Sequence, residues 1–297
     1  MEGPPFLYQN NTNMLSKNEL KRLSKYKQDK YRRQDGLFIV EGVKMLEELL
    51  QSDFEILLLC AVNSWLNENR KVLEAKLAKQ NILSHSTNEQ SDTNIEATAQ
   101  ILPHNHSLIN EITEEELQKI SLLSTPNKVY CLVKRPELPA NKPLQGLTLM
   151  LDGIKDPGNL GTIVRLADWY AIDRIICSED SVDIFNPKTV QSTMGSIFRV
   201  QPEYTELEAF LQTLPADYPV YGSLVEEGSN IYSQALPTHA ILIIGSESHG
   251  ISPQIRSYIR KPLSIPRFNR SDKPESLNAA IATAIMISEF KRSHSQD

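Results

Sequence analysis

Cysteine is scarce in these 297 residues, and the three present, Cys60, Cys131 and Cys177, stand far apart. An odd and scattered set gives neither a disulfide framework nor the paired spacing of a zinc site, so the thiols read as reduced core residues. Apolar runs long enough to cross a bilayer are missing. The opening stretch MEGPPFLYQNNTNM lacks the charged and apolar regions of a secretory signal, and the expectation is a cytoplasmic protein with no membrane partner. Gly158 and Gly161 do not extend to a dinucleotide fingerprint, and no phosphate loop with Gly-Lys-Ser/Thr occurs. His104 and His106 lack further ligands at zinc spacing and read as a loop pair, so no metal is expected. His249 has no nucleophile and acid arranged around it in sequence, which disfavours a Ser-His-Asp hydrolase.

An excess of positive charge is also lacking: the formal net charge is −6. The distribution is uneven. Between Lys17 and Arg33 eight Lys or Arg face only Glu19 and Asp29, and between Arg256 and Glu275 six face only Asp272 and Glu275. Two basic segments on an acidic background suit selective, salt-sensitive docking to nucleic acid, the alternative being two solvated faces.

The length allows two ordinary domains. Residues 1–14 are polar and Asn-rich and read as a loose terminus. A basic helix-like stretch from Ser16 leads to the strand Leu37–Gly42 and a helix over Val43–Leu50. Phe54–Val62 reads as a strand, 64–80 as helix-like, 84–100 as polar and turn-like, Glu114–Leu122 as a helix capped by Thr113, and Lys128–Val133 as a last strand. This makes residues 15–135 a small α/β unit. Pro136, Pro139 and Pro143 forbid a regular helix and mark 136–146 as a linker.

From 147 to 297 strands and helices alternate. The strands are Leu147–Leu151, Arg174–Cys177, Val220–Ser223, Ala240–Ile244 and Leu263–Ile265. Helices are expected up to Tyr170, near Lys188–Ser196, near Pro253–Ile259 and at the C-terminus, where Leu277, Ala280, Ile281, Ala284 and Ile285 make one stripe. That alternation implies an α/β fold with a mostly parallel sheet covered on both faces.

Three segments carry chemistry. Leu149–Ala171 is a strand, a turn exposing Asp156, Pro157, Gly158 and Asn159, and a helix bearing Arg165. Such a junction presents backbone N–H groups and a helix N-terminus to a ligand, although one junction alone equally suits an ordinary βα turn. Ala240–Ile244 then runs into Gly245-Ser246-Glu247-Ser248-His249-Gly250. Finally, Leu263-Ser264-Ile265-Pro266 leads to Ser276-Leu277-Asn278 at a helix start.

In this order the segments resemble the three motifs of the SpoU (TrmH-like) branch of the SPOUT RNA methyltransferases. The motifs span about half the chain, each at a strand-to-loop junction. Departures are Arg267 and Asn269 after the Ile-Pro pair and Ala279 after Asn278; they bear on substrate detail rather than on the reaction. The N-terminal unit, with FIVEG at 38–42, more loosely resembles the substrate-binding domain that many SpoU enzymes carry.

The resemblance implies transfer of a methyl group from S-adenosylmethionine to a ribose 2′-hydroxyl, in ribosomal RNA by preference. The alternatives are a tRNA ribose methyltransferase and a non-catalytic RNA-binding protein on the same scaffold. It further implies a trefoil-knotted C-terminal domain and a homodimer. Arg165 becomes the main catalytic residue, with Asn159, Glu247, Ser276 and Asn278 orienting it and the nucleotide. Gly245, Ile265 and Leu277, with Ser223 and Leu224, match cofactor-binding positions. Outside the resemblance, Ser276 reads as a helix N-cap and Glu247 as a surface acid. Lys21, Arg22, Arg32 and Arg33 are the basic residues expected to hold RNA. The apolar residues on more than one face of the helix Gly161–Tyr170 give the dimer modest support from the sequence.

Overall fold

The computed structural model describes residues 15–87, 108–138, 143–268 and 276–292, with the backbone alone for 78–87. The expectations for residues 1–14, for most of the polar stretch 84–100 and for His104 and His106 lie outside them, as does Asn269. The chain divides into two compact units between Arg135 and Pro136.

The first unit runs α1 (Lys17–Ser24), α2 (Asp29–Gln34), β1 (Leu37–Glu41), α3 (Val43–Leu49), β2 (Ile56–Val62), α4 (Asn63–Thr87), β3 (Ile109–Ile112), α5 (Glu114–Ile120) and β4 (Val129–Lys134). Two helices start on capping boxes. Ser16 Oγ accepts from the Glu19 N–H while the Glu19 carboxylate accepts from the Ser16 N–H at 2.6 Å, and Thr113 and Glu116 repeat this at α5. The strands pair in the order β1-β4-β2-β3, antiparallel except for the parallel β2–β3 contact. β3 was not expected from the sequence. Glu41, the last residue of β1, is buried and is satisfied by the Ser121 hydroxyl and, at 2.9 Å, the Leu122 N–H.

The second unit runs β5 (Leu147–Asp152), α6 (Pro157–Trp169), β6 (Arg174–Ser178), α7 (Pro187–Thr193), β7 (Glu203–Thr205), α8 (Leu207–Gln212), β8 (Val220–Ser223), β9 (Ser229–Asn230), β10 (Ala240–Gly245), α9 (Pro253–Arg256), β11 (Lys261–Ser264) and α10 (Ala279–Arg292). Its seven strands lie in the order β7-β6-β5-β10-β8-β11-β9, and every pairing is parallel. β5 and β6 are buried along their whole lengths, as a sheet covered on both faces requires. Cys60, Cys131 and Cys177 are buried and unpaired, as their spacing predicted. β7, α8 and β9 were not expected, and several boundaries moved: α7 stops at Thr193, α9 at Arg256, and β11 occupies Lys261–Ser264.

α6 shows how the sequence builds the site. Asp156 caps it, accepting from the Asn159 N–H at 2.9 Å, and Pro157 takes the first helical position, where a missing N–H costs nothing. Leu160, Ile163, Val164 and Ala167 form the buried stripe. Gly161 sits against α7: a Cβ there would lie 2.5 Å from Ser192 Cβ and 2.7 Å from the Thr189 carbonyl. The glycine of the first motif is therefore needed for helix packing.

Candidate active site

Parallel strands place all their carboxyl ends on one edge, and ligands in open α/β sheets bind outside that edge. In this unit the exits of β5, β10 and β11 carry the three motif segments. The loop after β10 folds back on itself, Ser246 and Gly250 exchanging backbone hydrogen bonds at 2.9 and 3.1 Å. Buried Asp152 at the end of β5 holds its far side by accepting from the Ser252 N–H at 2.7 Å.

This loop presents Glu247 to α6. The Asn159 amide nitrogen donates to the Glu247 carboxylate, and the Asn159 oxygen accepts from Asn278 Nδ2 at 2.8 Å. Asn278 in turn caps α10, its own oxygen accepting from the N–H groups of Ala280 at 3.0 Å and Ile281 at 3.2 Å. A chain of side chains thus joins the starts of α6 and α10 to the loop after β10. Each amide has a fixed orientation, because a carboxylate only accepts. Around it, Lys188 lies 3.5 Å from the Asp156 carboxylate, and Lys155 pairs with Asp180 at 2.6 Å. The Asn159 N–H, with Lys188 beside it, holds the Asp156 carboxyl below its ordinary value.

Three of the five polar residues read from the motifs, Asn159, Glu247 and Asn278, are therefore brought into contact. Ser276 is exposed and is not the cap of α10; Asn278 takes that place. Arg165 lies on the exposed face of α6 and makes no hydrogen bond or ion pair among the described residues. Glu247, expected to help orient Arg165 and the nucleotide, hydrogen-bonds Asn159 and makes no hydrogen bond or ion pair with Arg165 among the described residues.

The expected cofactor positions collect at neighbouring exits. Ser223 and Leu224 follow β8, Gly245 ends β10, and Ile265 follows β11, all half-buried, with exposed Leu277 one residue before the cap of α10. Two details define what these positions offer. The missing Cβ of Gly245 would meet the chain itself, 2.1 Å from the Gly250 carbonyl carbon and 2.3 Å from Ile251 N, so this glycine lets the loop close on itself. The Leu224 N–H is spent on the Leu263 carbonyl at 2.8 Å, which leaves its carbonyl and side chain for binding.

Among the basic residues of the first unit, Lys21, Arg22 and Arg33 are exposed. Arg32 corrects the expectation: it is 3 % exposed, and its guanidinium donates to the Tyr26 and Lys27 carbonyls at 2.7 and 3.0 Å and to Asp29 at 3.1 Å. It holds the turn between α1 and α2 and cannot reach a phosphate. Net charge along a segment does not say which cation folds inward.

Comparison with known proteins agrees with this geometry. The model of the SpoU rRNA Methylase family matches residues 146–288, and that of the MRM3-like substrate binding domain matches 17–131. A putative RNA methyltransferase of the TrmH family from Porphyromonas gingivalis is 34% identical, with 94% of this chain and 99% of that one aligned at a TM-score of 0.71. This chain belongs to the SpoU/TrmH family. A relative in Bacillus subtilis, the 23S rRNA (guanosine(2553)-2'-O)-methyltransferase RlmP, is 26% identical over 87% of this chain and 90% of its own length. The AdoMet-bound rRNA methyltransferase of Sinorhizobium meliloti has the same fold, with 24% identity, 95% and 97% coverage and a TM-score of 0.74. Among the described residues no group of His, Cys, Asp and Glu could hold a metal ion, and no helix is long and apolar enough to cross a membrane.

Proposed function

We propose that the protein is an S-adenosylmethionine-dependent methyltransferase acting on a ribose 2′-hydroxyl of ribosomal RNA. The observation that carries this reading is the Glu247–Asn159–Asn278 chain, which ties the three SpoU motifs together at the carboxyl edge of a parallel sheet. A protein that only bound RNA would have no need of it.

The exits of β8, β10 and β11 fit the cofactor. They combine half-buried apolar side chains with backbone groups, which suits a ligand that is part nucleoside and part amino acid. Ser223, Leu224, Gly245, Ile265 and Leu277 would hold it, and when bound it supplies an electrophilic methyl group. The rest falls to the chain's own residues. The hydroxyl must be held in line with the methyl carbon and must lose its proton. Arg165, always charged, serves as a clamp on the adjacent phosphate and as a stabiliser of the developing alkoxide, with the proton passing to phosphate or water. Asn159, fixed from both sides, and the exposed Ser276 orient the nucleotide.

Lys21, Arg22 and Arg33 position RNA on the first unit, which fills the role of a substrate-binding domain. The trefoil knot implied by the resemblance belongs, in this reading, to the stretch after β10: β11 lies beyond β8, and α10 comes back to pack on α6 and β10. The protein works as a homodimer in the cytoplasm, where reduced cysteines are at home. Support for the dimer comes from Trp169, 84 % exposed on α6, Met194, 48 %, at the end of α7, and Ile281, 54 %, on α10. α7 and α10 both pack on α6, and so much apolar surface on the three suits a second copy. Mapping 2′-O-methylation in ribosomal RNA from cells with and without the gene tests the reading; one lost site is expected, and an unchanged map counts against it.

A further inference from the structure

The most exposed large apolar side chain among the described residues is Phe268, at 87 %. Unlike Trp169 and Ile281, it belongs to no helical face. It stands on a short lead from the carboxyl end of β11, three residues beyond Ile265, with half-buried Pro266 and exposed Arg267 before it. The root of that lead is pinned: the Leu263 carbonyl accepts from Leu224 N–H at 2.8 Å, and Ser264 Oγ donates to the Gly228 carbonyl at 2.9 Å. Gly228 packs so closely there that a Cβ would lie 2.2 Å from the Leu263 carbonyl carbon. A strand end pinned at its root thus carries an exposed aromatic ring beyond the carboxyl edge of the sheet, the same edge that carries the loop of Glu247.

We propose that Phe268 is a stacking platform for an unpaired RNA base next to the ribose that is methylated, a substrate-positioning role that rests on the reading of the site given above. Single-stranded RNA is recognised largely by stacking of unpaired bases on aromatic side chains, and a phenyl ring accepts any base because it forms no hydrogen bond with one. The neighbouring Arg267 adds positive charge of the sign that a phosphate backbone requires. A platform at this place holds the nucleotide flat against the strand exit while Arg165 acts elsewhere on it, so it governs RNA affinity and leaves the cofactor site alone.

The test compares the unsubstituted chain with Phe268→Ala, Phe268→Tyr and Phe268→Trp in binding to a short single-stranded RNA of mixed sequence. S-adenosylmethionine binding and mass in solution are measured in parallel. Phe268→Ala should weaken RNA binding roughly five- to hundredfold, the worth of one stacked base, with cofactor affinity and mass unchanged. The Tyr and Trp variants should bind like the parent, and the added Trp emission should be quenched as RNA saturates the protein. RNA binding by Phe268→Ala equal to that of the parent overturns the platform, and so does an altered mass, which would show the ring packing on a second copy. A parent that binds S-adenosylmethionine but no RNA overturns the underlying substrate reading and the platform with it.

Discussion

Arg165 and Asn159 sit on the same helix but stand in opposite situations: one is exposed without a partner among the described residues, the other is held from two sides. Removing Arg165 should therefore leave folding intact. Arg165→Ala should lose methyl transfer by orders of magnitude at an unchanged melting temperature, and Arg165→Lys should recover little, because an ammonium lacks the planar fork. Near-parental turnover by either variant would refute the assigned role. Asn159→Asp places a second carboxylate against Glu247, so it should cost both activity and stability, while the double change with Glu247→Gln should restore part of the stability. At this scale residue types were legible in the sequence and their contacts were not. The motif spacing brought out Asn159, Glu247 and Asn278, yet nothing in it said that Glu247 would bind Asn159, that Gly245 would accommodate its own loop, or that Arg32 would be drawn under the α1–α2 turn.

Elements are where patterning succeeds or fails by length. β5, β6 and β10 are apolar runs of five or six residues buried between helices, and the sequence marks them clearly. β7 and β9, of three and two residues, are strands only because β6 and β11 pair with them, and α8 is too short for a helical period to show. The packing of α6 on α7 depends on Gly161. Gly161→Ala should destabilise the protein by about 1–3 kcal/mol through overpacking, measurable by chemical denaturation, and a neutral effect would mean that the helices separate freely. A second prediction concerns acid. At the end of α6 the partial burial of Asp168, which alone would raise its pKa, is outweighed by hydrogen bonds from Arg199 and Ser196, and its carboxyl is held below the ordinary value. A lowered folded-state pKa gives stability that is complete above the unfolded value, about 3.9, and is lost as pH falls through the folded one. Asp168→Asn should thus lower stability at neutral pH and lose less on acidification than the parent; parallel pH profiles would contradict this.

For the whole molecule, α/β class and the two-unit organisation could be read from alternating strands and helices and from the prolines after Arg135, whereas assembly leaves only a faint trace in sequence. The neighbours in its own unit account for most apolar residues of α6, and Trp169 is what remains exposed. The proposed dimer predicts about twice the chain mass of 33.6 kDa by light scattering, and Trp169→Glu should reduce it to the monomer. A parental monomer at micromolar concentration would overturn the claim. On the first unit, neutralising Lys21, Arg22 and Arg33 together should weaken RNA binding and flatten its salt dependence while S-adenosylmethionine binding holds, and an unaltered slope would leave these charges a solvated face. The central claim is the reaction itself. It is tested most directly by incubating the purified protein with methyl-labelled S-adenosylmethionine and ribosomal RNA from cells lacking the gene, then locating the label by nuclease digestion. The account predicts label on a ribose 2′-oxygen at one site, abolished in Arg165→Ala; label on a base, or none with cofactor and RNA both bound, would contradict it.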